Sequence, residues 1–356
     1  MPLLLNKVGD DGRFIDALPE GGYPFTDEED IKKQRKGMWD IMKKLGTNLV
    51  EGKDLVSVSL PVYLFEPRSF LQRLTDTWAY YDQYLPIAAK TDDPILRLAL
   101  VISFGISGLH QTCIAKKPFN PILGETFEAV YTIDNTELFV EQISHHPPIT
   151  TWEMKGEGYS FTGQAGYQAN IRANALKASQ LGPNIIRLPK YDTTIIYEQP
   201  IVWLKNVMFG SRVMEYYGNM KFEDRASGLT CDVKFNPDEK GFIGRWFGSS
   251  KKSPSDTVRG EIKDSYDQVV GTIEGSWLGY VDFTDSASGQ TKRLWSIGHN
   301  MPNYPQAIPN PLPSDSRFRP DAIALAQEDL ELSQQIKEEL ENKQRREKRL
   351  RKGLTE

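Results

Sequence analysis

Hydrophobic and polar residues follow three different rhythms along this chain, and each predicts a different kind of structure. Between 26 and 114 the apolar residues recur at helical spacing. Thr26 stands where a helix cap belongs, and the acidic turn Asp27-Glu28-Glu29-Asp30 after it suits the positive end of a helix. Two further apolar-rich helices are predicted over 68–89 and 93–112. Residues 54–61 alternate with period two and predict one early strand. From 125 to 298 that period dominates, in short runs at 126–133, 137–143, 149–154, 160–164, 192–198, 213–222, 229–235, 258–262, 269–276, 280–283 and 293–297. Turn residues such as Asp134-Asn135 and Ser286-Ala287-Ser288-Gly289 separate the runs. No helix long enough for a parallel crossover lies among them, so an antiparallel sandwich or barrel is predicted. The first 25 residues are rich in Gly and Pro with scattered Leu3, Leu4, Leu5, Phe14 and Ile15, and read as a mobile arm or flap. After a Pro-rich connector at 300–318, residues 321–351 predict one long polar helix.

Composition narrows the class. The chain has 356 residues, 39% of them hydrophobic, enough for a large core. A net charge of −5 gives no global basic field to attract nucleic acid. Two cysteines, Cys113 and Cys231, make neither a disulfide framework nor a four-ligand zinc site, which points to a reducing, cytosolic compartment. The apolar patch at the start lacks a basic region before it and is too short for a signal sequence. The longest apolar stretch, 95–109, contains Arg97 and falls short of the roughly 20 residues that span a bilayer. It reads as a buried helix, so membrane contact is expected to be peripheral.

Four stretches carry candidate chemistry. In Glu141-Gln-Ile-Ser-His-His-Pro-Pro148, two of the four histidines stand side by side against two prolines. Each proline fixes its own φ and holds the residue before it extended. Imidazoles so held serve as anion donors, metal ligands or acid–base groups. His110 and His299 are distant and form no metal-ligand pattern with the pair, so a metal-dependent hydrolase is a remote alternative. A capping role at a proline turn is the plain alternative. The second stretch, 115–125, presents Lys117 and Asn120 on a loop stiffened by Pro118 and Pro121, which suits an anionic oxygen or serves as an ordinary connector. In the third, Lys337, Glu341 and Arg345 at i, i+4 and i+8 form one helical stripe, fit for phosphate or for a salt-bridge ladder. Last, the strongly basic tail 343–352 is either solvated or drawn to anionic membrane surfaces.

Together these stretches resemble the oxysterol-binding-protein-related family. The histidine motif differs from that family's EQVSHHPP signature only by Ile143 for Val. Lys117-Pro-Phe-Asn-Pro-Ile-Leu-Gly-Glu125 is similar to its KPxNPxLGE motif. Ser59-Leu-Pro-Val, Phe65-Glu-Pro-Arg-Ser69 and Ser314-Asp-Ser-Arg-Phe-Arg-Pro-Asp321 resemble further family segments in the same order. The resemblance implies a mainly β fold with flanking helices. An incomplete antiparallel β-barrel would surround a lipid tunnel, with an N-terminal lid and a long C-terminal helix. One domain over 1–356 is expected: lid or arm 1–25, helical segment 26–114, barrel 115–298 and C-terminal helical segment 299–356. Carried over by position, Lys117, Asn120, His145, His146, Lys337, Glu341 and Arg345 would hold the headgroup of phosphatidylinositol 4-phosphate. Leu3, Leu4, Leu5, Phe14 and Ile15 would serve as the lid. The resemblance implies exchange of that lipid for a second one, a sterol or phosphatidylserine, between membranes. The expected protein is cytoplasmic, peripheral at membranes or contact sites and monomeric. No nucleic acid, cofactor, metal or covalent chemistry is expected. A lipid-sensing regulatory scaffold is the alternative to a carrier.

Overall fold

A computed structural model describes residues 7–45, 59–237, 252–351 and 353. Among them one sheet of sixteen strands dominates. Its antiparallel path starts at Thr291–Ser296 and passes back through Tyr280–Asp285, Val269–Ser276, Thr257–Lys263 and Thr230–Phe235 to Val213–Asp224. It continues through Thr193–Tyr197, Asn184–Leu188, Tyr159–Arg172, Pro148–Gly156, Thr136–His145 and Thr126–Tyr131 to the short edge Gln306–Ala307. The two edges do not pair with each other, so the expected barrel is incomplete. Alternation drives the curl: in Thr136–His145, Leu138 and Val140 point into the core while Glu137 and Ile143 face solvent.

The sheet forks on one side. Tyr159–Arg172 pairs with Asn184–Leu188 through residues 160–163 and with Ala175–Leu181 through residues 166–172. Val213–Asp224 does the same, pairing with Ile201–Lys205 near its start and with Thr193–Tyr197 near its end. Ala175–Leu181 and Ile201–Lys205 then pair with each other. Sequence periodicity misses both strands, because nearly all their residues are half-buried and no alternation marks them.

The opposite side is filled by the helix Pro94–Ser107. Asp93 caps it by accepting from Ile95 N at 2.9 Å, and Pro94 suits the first turn. Every residue from Arg97 to Ser107 is buried, so this apolar segment is a core helix, as expected. A helix packed on one wall and a forked wall opposite leave a hollow between them.

Several expectations change. Residues 54–58 of the predicted early strand lie outside the described residues, and Ser59 to Pro61 form no strand. The first helix, Glu28–Leu45, is capped by Asp27, which accepts from Asp30 N at 2.9 Å, and not by Thr26. The predicted helix at 68–89 is broken into Phe70–Thr75, two tight turns and Leu85–Ala88. Trp78, Tyr80, Tyr81 and Tyr84 are all buried in these turns. The last helix is also broken, into Pro320–Ala326 and Leu330–Arg351. Glu328 adopts a left-handed φ of 63°, and Asp329 restarts the helix by accepting from Leu332 N at 2.9 Å.

Gly108 ends the core helix where a Cβ would stand 1.8 Å from the carbonyl oxygen of Thr77. A backbone atom cannot yield as a side-chain tip can. Gly108→Ala is therefore expected to destabilise the protein by about 3 kcal/mol, measured as a lowered urea midpoint with unchanged slope.

Candidate functional site

The prolines at 147 and 148 end a strand by turning it. Thr136–His145 meets Pro148–Gly156 across the two-residue turn His146-Pro147, with His145 opposite Pro148. Pro148 opens its strand, the position where a missing N–H costs least. The His146–Pro147 peptide is cis. A register shift between Gln142 and Ser144 marks a bulge at Ile143, which adds local twist. Neighbours on a regular strand face opposite ways. Here the two imidazole rings meet edge to face with centroids 4.7 Å apart. Burial, then the neighbouring His146, hold the His145 pKa below the ordinary histidine value. Its buried Nδ1 has no hydrogen-bond partner.

The 115–125 loop reaches the same place. Lys117–Phe119 pairs in parallel with Phe65–Ser69, a pairing made possible by the helical crossover between them. The Lys117 ammonium donates to Asn120 Oδ1 and to the Pro118 carbonyl at 3.3 Å. It also lies 5.0 Å from the Phe65 ring centroid. Burial, followed by the charges of Lys337 and Arg319, holds its pKa down to about 7. An anion arriving beside it would restore the charge.

Leu330–Arg351 supplies the third side. Lys337 is buried, with its ammonium 5.5 Å from the same Phe65 ring. It donates to Ser59 Oγ at 3.0 Å and pairs with Glu341 at 2.5 Å. Glu341 also holds Arg345 at 3.3 Å. The stripe is thus a salt-bridge ladder and, at the same time, one wall of a pocket.

Asn120, His145, His146, Lys337, Glu341 and Arg345 line one polar pocket of about 80 Å³. Lys117 donates to Asn120 of that pocket but itself lines the larger space beside it. Leu60, Asn120, His145 and His146 also line a second space of about 780 Å³. Its walls are largely apolar: Leu74, Trp78, Phe104 and Leu109 come from the helical side, and Leu176, Val202 and Leu204 from the forked strands. The imidazoles stand on the rim between the two spaces. Such a pair of spaces suits a ligand with an anionic head and an apolar body. Among the described residues no group of three or more His, Cys, Asp or Glu is placed to hold a metal ion.

Sequence reasoning missed Arg319, which also lines the polar pocket. It is buried, clamps Asp321 at 2.7 Å and Glu125 at 3.0 Å, and donates to the Asn120 carbonyl at 2.6 Å. Burial pushes the Glu125 carboxyl up, against the pull of Arg319, the Ser69 hydroxyl and Ile122 N. The only signal was Arg319-Pro-Asp321 at a helix start. Phe65, the ring beneath both lysines, was missed as well.

The lid residues need correction. Leu3, Leu4 and Leu5 lie outside the described residues. Phe14 packs on Tyr23 at 5.9 Å, and its N–H donates to the Leu278 carbonyl at 2.7 Å. Ile15 is 54% exposed. Neither lines the large cavity; Gln34 and Met38 of Glu28–Leu45 do. Arg13 ties the arm to buried Asp256 at 2.8 Å, and Tyr23 and Phe25 pair with Met214 and Arg212, which do line the cavity.

A family model described as oxysterol-binding protein matches residues 37–356. The chain belongs to that family. Oxysterol-binding protein 9 of Dictyostelium discoideum is 39% identical over 348 residues, covering 92% of this chain and 79% of that protein. Oxysterol-binding protein-related protein 6 of Mus musculus is 29% identical over 335 residues, and the match spans 88% of this chain but 33% of the mouse protein. The crystal structure of the Osh1 ORD domain in complex with ergosterol superposes with a TM-score of 0.73 and 25% identity, over 90% of this chain and 81% of that one. The fold is thus that of an oxysterol-binding-protein lipid-binding domain.

Arg319→Met would leave Glu125 and Asp321 buried without their cation. The expected loss is roughly 3–5 kcal/mol of stability, read from chemical denaturation near neutral pH; a loss below about 1 kcal/mol would mean that the clamp is not structural.

Proposed function

We propose that this protein is a cytoplasmic, monomeric lipid-transfer protein acting peripherally at membranes or membrane contact sites. It takes the headgroup of phosphatidylinositol 4-phosphate between Lys117, Asn120, His145, His146, Lys337, Glu341 and Arg345. It exchanges this lipid for a second one, a sterol or phosphatidylserine, without covalent chemistry. The observation that carries the reading is the shared rim, where imidazoles border a cationic pocket on one side and a cavity of about 780 Å³ on the other. Each CH₂ taken from water into an apolar space contributes about 0.8 kcal/mol, so acyl chains belong in the cavity. A phosphate belongs at the rim, where it gives the buried cations Lys117 and Lys337 a counter-charge.

Two further features support a hydroxyl-bearing second lipid. The related Osh1 domain was crystallised with ergosterol. In this chain, Gln111 lines the cavity with a buried Oε1 that has no partner, ready to accept from a ligand hydroxyl.

His145→Ala with His146→Ala is expected to reduce extraction of phosphatidylinositol 4-phosphate from liposomes by at least about tenfold. Undiminished extraction would remove both residues from the site. Tight extraction without delivery to acceptor liposomes would favour a lipid-sensing scaffold.

The depressed Lys117 sets a pH dependence. With its pKa near 7 beside Lys337 and Arg319, the lysine is mostly uncharged above that pH and must take up a proton to pair with phosphate. The phosphate is already a dianion there, its second pKa being about 6. Affinity for soluble dioctanoyl phosphatidylinositol 4-phosphate should therefore fall as pH rises from about 7 to 9. Calorimetry at a pH of about 8 should record net proton uptake, and an affinity constant across that range would overturn this role.

A further inference from the structure

The helix that borders the cavity has a second face. On its inner side Gln34 and Met38 line the cavity, and Gly37 lies against the Tyr63 hydroxyl and Leu64. On its outer side Lys32, Lys36, Trp39 and Lys43 are all exposed. At 3.6 residues per turn these four lie within about 60° of one another, on one stripe. Trp39, in the middle of the row, is 49% exposed.

A neighbouring loop adds a second aromatic ring. Arg35, on the flank of the stripe, donates to the carbonyls of Asn206 and Gly210. Between those residues Phe209 is 68% exposed. The loop is firmly held: Asn174 Oδ1 accepts from Met208 N at 2.8 Å and Phe209 N at 3.3 Å, and Asn174 Nδ2 donates to the Phe209 carbonyl at 2.9 Å. Isolated exposed apolar residues are ordinary. A tryptophan set among lysines, with a rigidly presented phenylalanine beside it, is a combination with a use. Lysine stems lie along an apolar surface while their ammonium groups reach anions, and tryptophan favours the boundary between water and lipid. In a chain of net charge −5, three lysines line up here, beyond the acidic first turn Glu28–Asp30 and with Asp40 on the flank, on the outer face of a helix that borders the cavity.

We propose that the Lys32-Lys36-Trp39-Lys43 stripe, with Phe209, docks the protein on an anionic lipid bilayer. Docking there would set the cavity's covering helix against the membrane from which a lipid must enter. The proposal stands apart from the headgroup assignment and can fail without it.

Lys32→Glu, Lys36→Glu and Lys43→Glu combined should lower partitioning onto phosphatidylcholine–phosphatidylserine vesicles by at least about tenfold. Binding of soluble dioctanoyl phosphatidylinositol 4-phosphate in solution should not change. The histidine double variant should show the opposite pattern, losing the soluble ligand while keeping vesicle partitioning. Brominated lipids should quench parental tryptophan emission more than that of Trp39→Phe, and Phe209→Ser should weaken partitioning. Vesicle binding of the triple variant equal to the parent, or equal quenching of the parent and Trp39→Phe, would overturn the proposal.

Discussion

One buried cation holds the site together. Arg319 links Asn120 and Glu125, almost 200 positions earlier, to the turn that starts the C-terminal helices. With the Phe65 ring beneath both lysines, that link joins the 115–125 loop to the Lys337 stripe. The clamp also has an electrostatic consequence. It adds a charge beside Lys117 and Lys337, where water is largely excluded and repulsion between cations is strong. Burial and these neighbouring cations loosen the proton on Lys117, and Glu341 lies between Lys337 and Arg345, pairing with both.

Where that anion's apolar remainder goes is decided by the fork in the sheet. A continuous barrel packed around Pro94–Ser107 would leave little free space, since protein interiors are close-packed. By splitting Tyr159–Arg172 and Val213–Asp224 between two sets of partners, the sheet bulges outward on the side away from the helix. The strands of the bulge, Ala175–Leu181 and Ile201–Lys205, are half-buried because they have a cavity rather than a core behind them. Gly218, at φ 85°, sits where the Val213–Asp224 strand passes from one set of partners to the other, a backbone state that glycine adopts freely.

The legible parts of this molecule are those with a strong local period. Alternation located most barrel strands, and a run of apolar residues between Asp93 and Gly108 located the core helix. The fork was hidden because its strands have no dry face to alternate against. The break at Glu328 was hidden too, since a charged residue with positive φ gives no warning in a polar helix. For the site, the motif residues at 117–120, 145–146 and 337–345 could be named from sequence. Their convergence was expected only through the family resemblance, because local pattern says nothing of a bulge at Ile143 or of a clamp joining segments distant in sequence. Phe14 and Ile15 misled for a related reason: apolar residues in a Gly-rich arm suit a lid and a staple equally well, and only the partners Leu278 and Tyr23 distinguish the two.

The segment 59–64 connects these parts physically. Ser59 accepts from Lys337 of the polar pocket, and Val62 N donates to Gln334 of the same helix at 2.9 Å. Tyr63 and Leu64 receive the helix Glu28–Leu45 at Gly37. Leu60 lies in the walls of both spaces. The cavity-bordering helix Glu28–Leu45 and the Lys337 helix therefore both rest on one short segment, 59–64, which lies in the walls of both spaces; the polar pocket and the large cavity share a support as well as a rim.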